Sequence, residues 1–120
     1  MELPSLDWNL CVQLANHKKD VAEEILSLII QELPADLSAI QKARQEMNHE
    51  ELLRCVHKLH GALCYSGMPR LKNIISSLET TLKQSKLDSE TLNELSLRLE
   101  TEVNSVISFY HLRAKDFSNF

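Results

Sequence analysis

An all-α domain, built as an up-down antiparallel four-helix bundle with a short N-terminal capping helix, is the fold this sequence predicts. Three observations support it. Apolar residues recur three and four positions apart along most of the chain, the spacing of a helix with one buried face. Only 2 glycines and 3 prolines occur among 120 residues, too few for the frequent turns of a β sandwich or barrel. Hydrophobic residues make up 43% and charged residues 25%, which suits one packed domain and not a disordered chain.

The elements follow in order. Asp7 is a good N-cap for a first short helix over 7–15, which Asn16-His17-Lys18 interrupts. A long second helix over 19–47 carries Val21, Ile25, Leu26, Ile29, Ile30, Leu33, Leu37 and Ile40, with Asp20, Glu23 and Glu24 near its positive end. Pro34 lies inside it and removes a backbone donor, so a kink is expected near 34. Asn48, with Glu51 three residues on, resembles a capping box and opens a third helix over 49–66, whose stripe is Leu52, Val56, Leu59 and Leu63. Gly67 reads as its C-cap, and Pro69 as the first residue of a fourth helix over 69–84 with Leu71, Ile74, Ile75, Leu78 and Leu82 inward. Asp88 caps a fifth over 88–114, whose stripe runs Leu92, Leu95, Leu99, Val103, Val106, Phe109 and Leu112. The tail 114–120 is polar and expected to fray. Residues 1–120 thus read as one domain. Trp8, Phe109 and Tyr110 are expected as core or end-cap aromatics.

Composition narrows the function. The formal charge of −4 argues against a nucleic-acid surface, and Lys18 and Lys19 are too few for a membrane patch. No apolar run is long enough for a membrane span, and the acidic start lacks a signal peptide's basic region. Three cysteines cannot all pair within the chain, so reduced thiols and a cytoplasmic setting are expected, with Cys11 and Cys55 as small core residues. The phosphate-binding and nucleophile-elbow glycine motifs are missing. The chain is therefore not expected to bind ATP or to phosphorylate itself.

One segment carries chemistry. Both glycines lie close after His57. Gly61 falls inside a predicted helix, where glycine is about 1 kcal/mol worse than alanine. At about 100° per residue, His57 points roughly 130° from the core direction, Gly61 roughly 170° and His60 roughly 70°. Arg54 and Lys58 add positive charge nearby. An exposed imidazole can offer a lone pair near neutral pH, cations can steady a transferring phosphoryl group, and a bare glycine lets a large partner close over the ring.

These residues, His57-Lys58-Leu59-His60-Gly61 with Gly67 further on, resemble the H-x-[L/I]-[K/H]-G-x5-G motif of histidine phosphotransfer (HPt) domains. Asp7-Trp8, Leu33-Pro34 and Cys64-Tyr65-Ser66-Gly67-Met68-Pro69-Arg70 extend the resemblance along the chain, most like the C-terminal HPt domains of BarA/GacS-type hybrid sensor histidine kinases. The resemblance implies that His57 is phosphorylated, taking the group from a receiver domain's aspartyl phosphate and passing it to a response-regulator aspartate. It implies that His60 stands where many HPt domains have a phosphate-side lysine, a weaker role for histidine that Lys58 or Arg54 would compensate. Glu79 matches a position often held by glutamine and could orient the His57 ring by a hydrogen bond. Gly61 and Cys64 would belong to the docking surface. No cofactor is expected on this chain, and Mg²⁺ is expected on the partner receiver. The resemblance also implies a monomeric domain cut from a longer kinase anchored in the inner membrane, with no direct membrane contact of its own.

Two rival readings stand beside it. Cys55, His57, His60 and Cys64 look ligand-rich, but Cys55 lies nearly opposite His57 on a helix and no second ligand pair exists, a poor basis for a structural zinc site; no metal site is expected. A helical-bundle adaptor that docks a receiver or other partner without covalent transfer would use the same surface, and it would not need His57.

Overall fold

The computed structural model describes residues 3–117, with side chains described through Arg113. Five helices and no strand occur among the described residues: α1 (Trp8–Leu14), α2 (Lys19–Gln45), α3 (His49–Leu63), α4 (Pro69–Leu82) and α5 (Ser89–Phe117). Their starts are chemically marked. Asp7 accepts from the Leu10 N–H at 3.0 Å, and Asn48 from the Glu51 N–H at 3.1 Å. Asp88 accepts from the Thr91 N–H at 3.1 Å and from its hydroxyl at 2.7 Å. Pro69 sits in the first turn of α4, where its missing N–H costs nothing. Asn16 (φ 56°) and His17 (φ 64°) are both left-handed and separate α1 from α2. Only half of the capping box at Asn48 forms, because the Glu51 carboxylate turns to Arg54 instead.

The bundle closes as a ring: α2 packs on α3, α3 on α4, α4 on α5 and α5 back on α2, while α1 lies against α2. Short turns between neighbouring helices produce this up-and-down arrangement. The apolar stripes meet inside, with Leu33, Val56, Leu71, Ile75 and Val106 each at 0% exposure. α2 runs through Pro34 without splitting, and the proline sits on the exposed face beside buried Leu33. Cys11 is buried as expected, whereas Cys55 is half-buried and bonds outward to Glu51 at 3.6 Å. No helix is long and apolar enough to cross a membrane among the described residues.

Several expectations need correction. α3 stops at Leu63, short of 66, and α2 at Gln45, short of 47, where Met47 turns left-handed at φ 55°. Leu112 is 82% exposed and Phe109 38% exposed, so the fully buried stripe of α5 ends at Val106, with Ile107 and Tyr110 partly buried beyond it. The reason is length. α5 has 29 residues against 14 in α4, and Glu102 already reaches Arg70 at the start of α4. Later turns of α5 therefore run past their neighbour. Trp8 and Tyr110 do pack against the core, while Phe109 lies under the Arg113 guanidinium at 5.4 Å. Within the tail expected to fray, α5 continues to Phe117, and residues 118–120 lie outside the described residues.

Candidate functional site

The inward faces of α3 and α4 decide where the site forms. Leu52, Val56, Leu59 and Leu63 are all buried, so His57 is rotated outward, and its side chain is 73% exposed. On α4, Leu71, Ile74, Ile75, Leu78 and Leu82 are buried, and Glu79 shares their face. The bundle therefore carries a carboxylate, 9% exposed, to the seam beside His57.

There it joins two imidazoles. His57 Nδ1 lies 2.5 Å from Glu79 Oε2, and His60 Nδ1 lies 2.6 Å from Oε1. Lys83 Nζ reaches Oε2 at 3.4 Å from one turn along α4. The hydrogen bond from His60, then that from His57, hold the Glu79 carboxyl down at about 2 against the opposing effect of burial. Glu79 is thus ionised at neutral pH. An ionised carboxylate can only accept, so each Nδ1 must carry the proton. In a neutral His57 ring, Nε2 then holds the lone pair.

Of the residues expected here, the structure brings together His57, His60 and Glu79. Arg54 is not part of the group: it is held on its own helix by Glu51, with Nε–Oε2 at 2.9 Å and Nη2–Oε1 at 2.5 Å. Lys58 is exposed, and its charge acts on Asp36 of α2, whose carboxyl burial pushes up and Lys58 pulls back down. His60 does not stand free as a phosphate-side cation, because its Nδ1 is bound to Glu79. Lys83 was missed by sequence reasoning. Its only signal was a lysine four residues after Glu79, an ordinary helix-face pairing. Glu79 had a stronger signal, an acidic residue spaced as part of an apolar stripe.

The two glycines take different roles. Gly61 is exposed in the last turn of α3, and a Cβ there would meet nothing within 4 Å. Gly67 is not the cap of α3, whose C-cap is Cys64; it is a left-handed turn residue, φ +66°, pressed against the start of α1. Its carbonyl accepts from the Asp7 N–H at 2.9 Å. Cys64 is exposed just beyond Gly61 and borders a groove of about 350 Å³ with Leu10, Leu14, Leu63, Met68 and Lys72.

Comparison with known proteins places the chain in a family. The Hpt domain family model matches residues 24–108. The chain belongs to the Hpt domain family. This Hpt domain is 33% identical over 102 residues to the signal transduction histidine-protein kinase BarA of Escherichia coli, covering 85% of this chain and 11% of that protein. It is 38% identical over 101 residues to the sensor protein GacS of Pseudomonas syringae pv. syringae, covering 81% of this chain and 11% of that protein. The crystal structure of the HPt domain of a sensor hybrid histidine kinase from Shewanella superposes with a TM-score of 0.84 at 33% identity, covering 95% of this chain and 97% of that one. The chain thus spans about a tenth of the length of the curated relatives it matches. The family match leaves α1 outside and takes in both helices, α3 and α4, that build the histidine–carboxylate seam.

Proposed function

We propose that this Hpt domain is a phosphocarrier in which His57 accepts a phosphoryl group from the aspartyl phosphate of a receiver domain and delivers it to the aspartate of a response regulator. The observation that carries this reading is an exposed imidazole whose inner nitrogen is bound to a buried, ionised carboxylate. As the Nε2 lone pair forms the N–P bond, the bond from phosphorus to the aspartyl oxygen breaks, and the electron pair leaves with that carboxylate. Positive charge left on the ring is opposed by Glu79 through the Nδ1–H bond, an electrostatic stabilisation already in place before the reaction. Delivery reverses these steps onto a second aspartate. Mg²⁺ is assigned to the receiver, where the charge on phosphorus must be neutralised.

The exposed side of Gly61 and the groove beside Cys64 suit a receiver that closes over His57. In this reading the domain acts as a cytoplasmic monomer and uses no ATP. Kinase activity of the kind named in its relatives belongs to other parts of such proteins.

The test is transfer from a radiolabelled receiver aspartyl phosphate in the presence of Mg²⁺. Label is expected on this chain, lost in acid, kept in base, and absent from a folded His57→Gln variant. A folded wild-type chain that takes no label from several receivers, yet binds them equally well with His57→Gln, would instead be an adaptor.

A further inference from the structure

A carboxylate that serves one exposed histidine needs something to hold it in place. The terminal torsion of a glutamate is broad and sets no orientation by itself. Here Glu79 is gripped from both sides: His60 holds Oε1 at 2.6 Å, while Oε2 faces His57 at 2.5 Å. Exposure runs in one direction through the group. The Glu79 side chain is 9% exposed, His60 27% and His57 73%. His57 has little packing to set its ring, whereas His60 is anchored in the α3–α4 seam. Lys83 also reaches Oε2, but from a side chain that is 58% exposed, where solvent weakens such a pair.

We propose that His60 is a positioning residue for phosphoryl transfer: its Nδ1–H fixes the Glu79 carboxylate so that Oε2 accepts the hydrogen bond from the Nδ1–H of His57, which keeps the proton on Nδ1 and leaves the Nε2 lone pair for phosphorus. The proposal rests on the phosphocarrier reading of His57 and assigns His60 a role distinct from a cation on the phosphate. His60 acts inward, on the carboxylate, and touches the reacting atoms only through it. A lysine at this position would supply a charge but not this rigid donor, so the chain combines a histidine here with an acidic residue at 79.

The experiment uses the full chain with ¹⁵N-labelled histidine. Long-range ¹H–¹⁵N correlation spectra report which ring nitrogen of His57 carries the proton, and uptake from a phosphorylated receiver is timed in parallel. In the wild type the Nδ1–H form should dominate. His60→Phe, which keeps a ring but removes the donor, should lose that dominance and slow uptake about tenfold, the low end of what losing the partner that orients a metal-ligating histidine costs. His60→Asn, whose side-chain N–H stands close to the position of Nδ1–H, should preserve most of both. His60→Ala removes the donor without adding volume and gives the same test where the phenyl ring is not accommodated. An unchanged His57 tautomer and unchanged uptake in a folded donor-free variant would overturn the proposal. So would a wild-type ring protonated mainly at Nε2. Loss of the carrier reading would show separately, as label persisting in His57→Gln.

Discussion

Replacing each glycine with alanine should separate what holds the domain together from what lets it work. At Gly67 the backbone has φ +66°, and an L-residue there costs about 1–2 kcal/mol. The added Cβ would lie 2.8 Å from the Cys11 nitrogen and 2.9 Å from the Asp7 oxygen, both backbone atoms. Neither can step aside without moving the start of α1. That shift would loosen the 2.9 Å bond from the Asp7 N–H to the Gly67 carbonyl, a loss of about 1 kcal/mol. Gly67→Ala should therefore destabilise the fold by about 2–3 kcal/mol; at about 4 °C per kcal/mol for a chain of this size, the melting temperature falls by about 8–12 °C. Gly61→Ala meets nothing within 4 Å. Because Gly61 lies in the last turn of α3, the gain from helix propensity is at the low end, about 0.5 kcal/mol, or about 2 °C. Melting followed by circular dichroism at 222 nm reads both values. Phosphoryl uptake should invert the order: Gly61→Ala melts higher yet accepts more slowly, because its methyl projects from the face the receiver would cover. Equal melting temperatures for Gly67→Ala and wild type would refute the steric argument, and full-speed uptake by Gly61→Ala would refute the docking one.

Glu79→Gln should weaken the fold most at neutral pH. The Glu79 carboxyl is lowered from 4.5 to about 2, so its contribution is complete above the unfolded value and disappears as pH falls through the folded one; urea titrations between pH 5 and 2 should show the wild-type advantage shrinking. Thiol reagents at pH 7.5 should label exposed Cys64 quickly and Cys11 only on unfolding. Cys11 is buried, donates to the Ser66 carbonyl at 2.9 Å, and is pushed up to about 12 chiefly by burial. Because its folded value is raised from 9.0, this thiol's stabilising effect is present below that pH and lost as pH rises towards 12. Leu33→Ala, at 0% exposure, should cost about 3 kcal/mol in chemical denaturation, whereas Leu112→Ala, at 82% exposure, should stay within about 0.5 kcal/mol of wild type.

The nature of each element was legible because its cause is local. Asp7, Asn48, Pro69 and Asp88 mark helix starts through bonds or backbone preferences that span three residues or fewer. The stripe Leu52, Val56, Leu59 and Leu63 turned His57 and Gly61 outward for the same reason, since facing on one helix follows from the period alone. Helix ends were read less well. The chain between Leu63 and Pro69 stays turned because Gly67 packs on α1, a contact between residues far apart in sequence. Phe109 and Leu112 keep the apolar spacing of α5, yet the spacing carries no information about where the neighbouring helix stops.

Sequence by itself determined the helical class, the order and approximate limits of the helices, and the outward histidine beside a bare glycine. Each depends on residues within a turn or two. Only the tertiary structure decided that Glu79 crosses from α4 to bind His57 and His60 of α3 through separate oxygens. Glu79 is 22 residues from His57 along the chain. Their meeting depends on how α3 and α4 rotate and slide against each other, which is set by the packing of two apolar stripes and not by any short-range pattern.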